Sequence, residues 1–346
     1  MTNTKEPFPI TVIVPVYNGA KFLDQCLTAL QSSDYANFDV LVIDDGSTDD
    51  SAELARSKGA FVLPSERRQS GPAAARNLAA KVARGDILLF VDADVVVKHD
   101  TISKVAAAFE QHPEISAVFG SYDNEPAEQN FLSQYKNLQH HYVHQSSSSE
   151  ASTFWAGLGA VRRNVFNELG GFDSEQFRQP SIEDIELGVR LRQDGHKIRL
   201  DKNIQAKHLK KWKALGLLRT EIFCRAVPWS KLILTQQGMI NDMNLKTLDR
   251  ISALLVALIV LSLPLVVWNL YFGFLVLALS LAVVVLNWRT FMFFARTKGP
   301  LFAVMTFPWL LIYYLYSGSS FVFCWLRYGI PLFISSIRRE NLNLRN

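Results

Sequence analysis

The chain has 346 residues, 49% of them hydrophobic and 20% charged, with a mean hydropathy of +0.09. This composition excludes disorder, a collagen-like chain and a small disulfide scaffold, and the length allows two or three domains. The average conceals a division. From Ile251 to Trp288 there is no Asp, Glu, Lys or Arg, a run of 38 residues, and Leu301–Leu326 is a second uncharged run of 26. A membrane-spanning helix needs about 20 apolar residues, so an ordinary soluble protein is excluded as well.

Charge divides in the same place. Residues 251–346 hold seven basic side chains (Arg289, Arg296, Lys298, Arg327, Arg338, Arg339, Arg345) and one acid, Glu340, a net of +6. The other 29 basic and 31 acidic residues sum to −2. The basicity therefore belongs to the flanks of apolar segments, where it meets anionic headgroups, and nucleic acid is not an expected partner. Cys26, Cys224 and Cys324 are scattered, which suits a reduced cytoplasm. Met1–Pro9 has no basic stretch followed by an apolar one, so the polar region is expected to stay on the side where it is made.

In chain order, Ile10–Val16 is a short β-branched run that predicts a buried strand. Ala20–Ser32 follows with helical spacing. Asp39–Ile43 predicts a second strand ending in Asp44-Asp45-Gly46-Ser47, and Ser47 or Thr48 can cap a helix over Asp49–Lys58. Ala60–Leu63 is a third strand, Gly71–Arg84 an Ala-rich helix, and Asp86–Val91 a fourth strand ending at Asp92-Ala93-Asp94. Four alternations of apolar strand and helix predict an α/β fold with a mostly parallel sheet and helices on both faces. Ligands bind beyond the carboxyl ends of such strands. Tyr17-Asn18, Asp44-Asp45 and Asp92/Asp94 should therefore converge there.

Beyond residue 115 the order changes. Ile115–Gly120 reads as a strand, Gln129–Gln145 as a helix, Ser146–Ser149 as a flexible loop, Thr153–Val161 as a small-residue strand or turn, Ile182–Gln193 as a helix and Lys197–Leu200 as a strand. Lys210–Gln237 mixes Trp and Leu with Lys and Arg, the profile of helices in a membrane interface.

Each acid cluster has two readings. Asp92 and Asp94 side by side at a strand end are costly without a cation, and Mg²⁺ or Mn²⁺ would take one or two carboxylates and complete its shell with phosphate and water; a plain polar turn is the alternative. Asp45 can accept a hydrogen bond from a base or ribose, or belong to a helix cap. Glu183-Asp184 opens a helix, where the dipole favours acids; it could also supply a general base beside the crevice. Glu186, one turn on, could support that base, but reads better as a solvated face. His140 and His144 have zinc-compatible spacing but lack the companion ligands, and read better as an interfacial face.

Taken together, Pro15-Val-Tyr17-Asn18, Asp44-Asp45-Gly-Ser, Gly71-Pro-Ala-Ala-Ala-Arg76-Asn77, Asp92-Ala-Asp94 and Glu183-Asp184 with Glu186-Leu-Gly-x-Arg190-Leu-x-x-x-Gly195 resemble a family 2 glycosyltransferase of GT-A fold over roughly residues 8–212. The resemblance implies a nucleotide-diphosphate sugar donor and inversion in one displacement. It places Pro15, Tyr17, Asn18, Asp45, Arg76 and Asp92 around the nucleotide-sugar, with Tyr17 against the base and Asp45 bonding it, typically uracil. It makes Asp94 the direct ligand of Mg²⁺ or Mn²⁺ and Asp184 the catalytic base, with Glu183 on the acceptor side. Membrane members often carry Gln-x-x-Arg-Trp; here His208-Leu-Lys-Lys211-Trp212 stands in its place, so Lys211 would approach the diphosphate and Trp212 the acceptor or the interface. Val95-Val96 replaces the Leu-Gln of dolichol-phosphate sugar synthases, which argues against a simple polyprenyl-phosphate acceptor.

The expected organisation is a catalytic domain over 1–212, interfacial helices over 213–250 and a membrane domain over 251–346. Its spans lie near 251–268, 270–288 and 301–325. Three spans leave Arg338-Arg339 outside, against the positive-inside rule. A four-span alternative breaks the last segment at Tyr316–Ser320. The expectation is an integral protein of the inner or plasma membrane with a cytoplasmic catalytic domain and a lipid or lipid-linked acceptor. The alternatives are a processive polysaccharide synthase, working as an oligomer or with a partner, and a non-catalytic membrane scaffold.

Overall fold

A computed structural model describes residues 8–331. The chain forms two compact units that divide between Lys213 and Ala214.

The first unit is built on a mixed sheet in the order β3-β2-β1-β4-β8-β6-β9-β5, with β7 beside β9. β1 (Ile10–Val16) pairs in parallel with β2 (Phe38–Asp44) on one side and β4 (Ile87–Val91) on the other, and β2 pairs in parallel with β3 (Phe61–Pro64). Helices α1 (Ala20–Gln31), α2 (Ser51–Ser57) and α3 (Pro72–Val82) connect them. The strands are buried because their β-branched and Leu side chains face helices on both sides; Ile10, Val12, Val14, Ile87 and Leu89 are fully buried in one core. The chain works outward from β1 to β3 and then returns to β1's other edge. The crevice beyond β1 and β4 is therefore the topological switch point where such sheets bind ligands.

The second half of the sheet is where the mostly parallel expectation gives way to a mixed arrangement. After β5 (Val95–Val97), α4 (Thr101–Gln111), β6 (Ile115–Tyr122), α5 (Phe131–Ser146) and β7 (Glu150–Ala151), strand β8 (Leu158–Arg162) inserts antiparallel between β4 and β6. Helices α6 (Arg163–Glu168) and α7 (Glu183–Gln193) lead to β9 (Lys197–His208). β9 runs parallel to β6 and antiparallel to β5. It is eight residues longer than Lys197–Leu200, and that extension carries His208 to the switch point.

The second unit begins with α8 (Ala214–Arg219) and α9 (Val227–Leu232), with π-helical turns at Thr220–Ala226 and Ile233–Gln237. α10 (Thr247–Trp268), α11 (Phe272–Leu286), α12 (Trp288–Lys298) and α13 (Pro300–Cys324) follow. α10 and the helix from Pro300 through Gly329 are each long and apolar enough to cross a membrane. α11 and α12 reach that standard only together, across a bend of 69°. At about 1.5 Å per residue the 15 residues of α11 extend about 22 Å, short of the roughly 30 Å apolar layer. α13 is continuous through Tyr316–Ser320, so the break required by the four-span alternative is absent; Arg338-Arg339 lie outside the described residues.

Candidate active site

Three parallel strands deliver their carboxyl ends to one edge. At the end of β1, Tyr17 is 43% exposed, and its hydroxyl accepts a hydrogen bond from Gln69. Pro15 is half-buried just before it. Asn18 adopts φ +49°, a conformation Asn tolerates, and its side-chain Oδ1 accepts from the Thr48 backbone N–H at 2.7 Å. Asn18 thus ties the β1 turn to the β2 turn. Asp44 accepts from the Ser47 N–H at 3.0 Å and closes the turn after β2.

Asp45 is buried, and both of its oxygens hold the loop before α3. Oδ1 accepts from the Ser70 N–H at 2.9 Å and hydroxyl at 2.7 Å, and Oδ2 from the Gly71 N–H at 2.8 Å. Gly71 sits at φ +89°, and a Cβ there would lie 2.3 Å from the Arg178 carbonyl oxygen, so this turn admits only glycine.

Arg76, on α3, is 4% exposed. Nη2 donates to Asp92 Oδ1 at 2.7 Å and Nη1 to Glu183 Oε1 at 2.9 Å, while the guanidinium lies over the Phe172 ring. Glu183 Oε2 accepts from the Ser181 N–H at 2.9 Å. The fork of a guanidinium suits this double contact. Arg76 thus binds the strand-end acid to the acid that opens α7, 107 residues away, and Glu183 faces inward onto it. Glu186 is also buried rather than solvated: Arg190 binds both its oxygens at 2.7 Å.

The segment Trp155–Gly157, read from sequence only as a small-residue turn, joins the two halves of the site. The Asp92 N–H donates to the Gly157 carbonyl at 3.3 Å, and the Ala156 N–H donates to Asp184 Oδ2 at 3.0 Å. Asp184 Oδ1 accepts from the Ile185 N–H at 2.8 Å. α7 lies close enough for this because residue 188 is glycine; a Cβ there would be 2.3 Å from the Phe154 nitrogen.

The three acids are tuned differently. Burial and then the charge of Glu183 push the Asp184 carboxyl up to about 7, against its backbone hydrogen bonds and Arg76. Burial raises Asp92 despite Arg76, with Asp94 and Glu183 adding to the rise. Burial also opposes ionisation of Asp94, but the hydrogen bond and charge of His208, with Lys210, outweigh it and hold Asp94 below the ordinary value. Such divergence among neighbouring carboxyls is a mark of functional sites.

His208 is the residue whose importance the sequence understated. β5 pairs Val95 with His208, and the Leu209 N–H donates to the Asp94 carbonyl at 2.9 Å. His208 Nε2 consequently lies 3.4 Å from Asp94 Oδ2. Its Nδ1 is 2.8 Å from Asn137 Oδ1, and its ring stacks on Tyr122 with centroids 4.3 Å apart. His140 and His144 extend this aromatic layer toward Trp155. They pack inside the domain instead of forming an interfacial face, and His144 Nδ1 bonds the Gly120 carbonyl at 2.9 Å.

Downstream, Lys211 is half-exposed and 3.3 Å from Glu128. Trp212 is buried, with its backbone held by Ser133 and Asn130 and Lys210 over its ring. Among the described residues no three His, Cys, Asp or Glu side chains form a complete metal cage.

This fold is that of solved sugar-transferring enzymes. The chain superimposes with a TM-score of 0.56 on a mannosyltransferase, PcManGT, from Pyrobaculum calidifontis, solved in complex with GDP-Man and Mn²⁺. The two are 20% identical, with 92% of this chain and 88% of that one covered. It superimposes with a TM-score of 0.51 on residues 1–349 of TarS from Staphylococcus aureus in complex with UDP-GlcNAc, at 19% identity and 92% coverage of each. Residues 11–170, most of the N-terminal unit, match the family described as Glycosyl transferase family 2. Its curated relatives include the glycosyltransferase GlyG of Streptococcus pneumoniae, 33% identical over 122 residues, which are 33% of this chain and 39% of that protein. They also include TarS of Staphylococcus aureus, a poly(ribitol-phosphate) β-N-acetylglucosaminyltransferase, 36% identical over 108 residues, 30% of this chain and 19% of that one. The match thus spans less than half the length of these relatives. The family stretch ends before α7 and therefore includes neither Asp184 nor His208.

Proposed function

We propose that this chain is a metal-dependent inverting glycosyltransferase. It moves a sugar from a nucleotide-diphosphate sugar, a UDP-sugar in our reading, to a lipid or lipid-linked acceptor at the cytoplasmic face of the membrane. The observation that carries the proposal is Asp184: a carboxylate fixed by two backbone N–H groups, tuned to about 7, and linked through Trp155–Gly157 to the Asp92–Asp94 turn. A base poised near the working pH is the group that removes an acceptor hydroxyl's proton as the sugar's anomeric carbon is attacked.

The donor end is built from the strand ends. Tyr17 offers an exposed ring to a base, and Asp45, which fixes the Ser70–Gly71 turn, would accept a hydrogen bond from that base. The residues fit a divalent cation: Asp94 and His208 present an oxygen and an imidazole nitrogen 3.4 Å apart, and diphosphate and water would complete the shell. Imidazole favours transition metals, so Mn²⁺ suits the pair better than Mg²⁺. Such a cation neutralises the leaving diphosphate. Arg76 contributes by holding Asp92 and Glu183, and Lys211 is placed to meet diphosphate charge. α10 and α13 anchor the domain at the lipid surface, with Arg289, Arg296 and Lys298 on the cytoplasmic side.

The test is a screen of radiolabelled UDP- and GDP-sugars with membranes containing the full chain, with and without Mn²⁺. Label passing from a UDP-sugar into the organic-extractable fraction only with metal is expected. Label appearing solely in water-soluble polymer would replace the lipid acceptor with the processive reading. No transfer from any donor would leave the scaffold reading.

A further inference from the structure

We propose that Asn137 is the positioning residue of the cation site: its carboxamide fixes the His208 ring so that Nε2 faces Asp94. This rests on the reading of Asp94 and His208 as cation ligands, and adds a residue that no sequence motif contains.

The backbone alone does not set the ring. Pairing of Val95 with His208 and the bond from Leu209 to Asp94 fix the Cα of residue 208 beside the acid, but leave χ1 and χ2 free. Two side chains remove that freedom. The Tyr122 ring lies parallel to the imidazole, at 8° and 4.3 Å, which confines the ring plane. Asn137 Oδ1, 2.8 Å from Nδ1, then selects one of the two in-plane orientations.

An amide oxygen only accepts, so Nδ1 is the nitrogen that keeps its proton, and Nε2 is the one free to give up its contact to Asp94 and offer a lone pair when a cation binds. Turning the amide over would set its NH₂ against Nδ1 and move the imidazole proton to Nε2, into the cation's place. Asn137 and His208 are 2% and 7% exposed, so water does not substitute for the contact. The helix bearing Asn137 is held to the chain just beyond His208. Asn130 Nδ2 donates to the Trp212 carbonyl at 2.9 Å, and the Trp212 N–H donates to Ser133 Oγ at 2.7 Å. Asn130, Ser133 and Asn137 thus hold residues 208–212, and of these three it is Asn137 that bonds a side chain facing the acids. A partner that orients a ligating histidine typically controls metal affinity 10–100-fold.

The test is a Mn²⁺ titration of the full chain in detergent with UDP present. Electron paramagnetic resonance would read both free Mn²⁺ and the nitrogen modulation of a bound imidazole. Asn137→Ala should weaken Mn²⁺ about 10–100-fold and alter the modulation. Asn137→Asp, which still accepts the Nδ1 proton, should stay within a few-fold of the parent. If His208→Ala abolishes the nitrogen signal while Asn137→Ala binds Mn²⁺ like the parent, the positioning proposal fails. Loss of neither signal nor affinity in His208→Ala would overturn the ligand reading itself. Should Asn137→Ala not fold, Asn137→Asp decides: a folded variant binding ten-fold more weakly would overturn the proposal.

Discussion

The two units bury polar groups in different ways. In the N-terminal domain the acids are partnered incompletely: Arg76 takes one oxygen of Asp92, backbone N–H groups hold Asp184 without neutralising it, and Asp94 faces an imidazole. In the C-terminal unit polar side chains close on one another. The Tyr314 hydroxyl lies 2.7 Å from Asn287 Oδ1 and 3.1 Å from Asp249 Oδ1, and Asn287 Nδ2 donates to Ser252 at 3.0 Å. Glu221 is bound by both Arg225 and Tyr316. Closed networks stabilise and specify packing; open ones leave charge available for chemistry. In the proposed function that difference separates a reaction site from an anchor, and each part of it can be tested.

The largest effect should come from the open side. Asp184→Asn removes the proposed base while keeping an acceptor for Ala156, and turnover should fall about 10²–10⁴-fold with donor binding intact. In the parent, transfer should rise with pH through about 7, as the Asp184 carboxyl ionises, and the variant's residual rate should lack that step. Stability moves the other way. The folded value lies above the unfolded 3.8, so the parent loses stability as pH rises from about 4 through about 7, and Asp184→Asn should lose less over that range. A turnover–pH profile beside thermal melts from pH 4 to 9 checks both. An unchanged rate would remove Asp184 from the chemistry.

Next in size is Arg76, which ties Asp92 to Glu183 by side-chain contacts. Arg76→Ala leaves Glu183 buried with an uncompensated charge, which typically costs about 3–5 kcal/mol. Arg76→Lys should recover only part of this, since an ammonium lacks the fork that reaches both acids. Denaturant unfolding of the two variants measures the difference. Equal stability of the Lys variant and the parent would show that one contact suffices.

These expectations also mark how far the sequence could be read. The first four strands were legible because a parallel strand buried on both faces is a continuous apolar run, and Ile10–Val16 was placed residue for residue. The convergence of Asp45, Asp92 and Asp94 followed from strand ends alone. The far half of β9 was not legible, because Asp201-Lys202-Asn203 has the composition of a turn and interrupts the alternation that resumes at Ile204, Ala206 and His208. The strand survives there through an irregular pairing with β6 between Phe119 and Ser121. That shift hid His208's position, and with it Asn137. The Arg76–Glu183 pair was hidden for another reason: both residues carry motif roles in sequence, and only the fold shows that they hold each other. In the C-terminal unit, hydrophobic length marked α10 and α13, but the uncharged run concealed the bend at Asn287, whose side chain returns to the Val283 carbonyl at 2.9 Å.

The smallest effect should come from the closed side, where it bears most directly on the contrast between the units. Tyr314→Phe deletes one hydroxyl and nothing else from the knot that joins α10, α13 and the bend after α11. Hydrogen bonds between membrane helices average about 0.6 kcal/mol and reach about 1.7, because polar groups in the unfolded state within lipid also find partners. A loss in that range is expected in detergent unfolding, with transfer unchanged at temperatures where the variant is folded. Asn287 Nδ2 keeps Ser252, and Asp249 Oδ2 keeps the Lys246 N–H at 3.1 Å, so the loss is confined to the donor shared by Asn287 Oδ1 and Asp249 Oδ1. A folded Tyr314→Phe variant that loses transfer would contradict the division. The knot would then belong to the path taken by the acceptor, and the C-terminal unit would be part of the reaction site as well as its anchor.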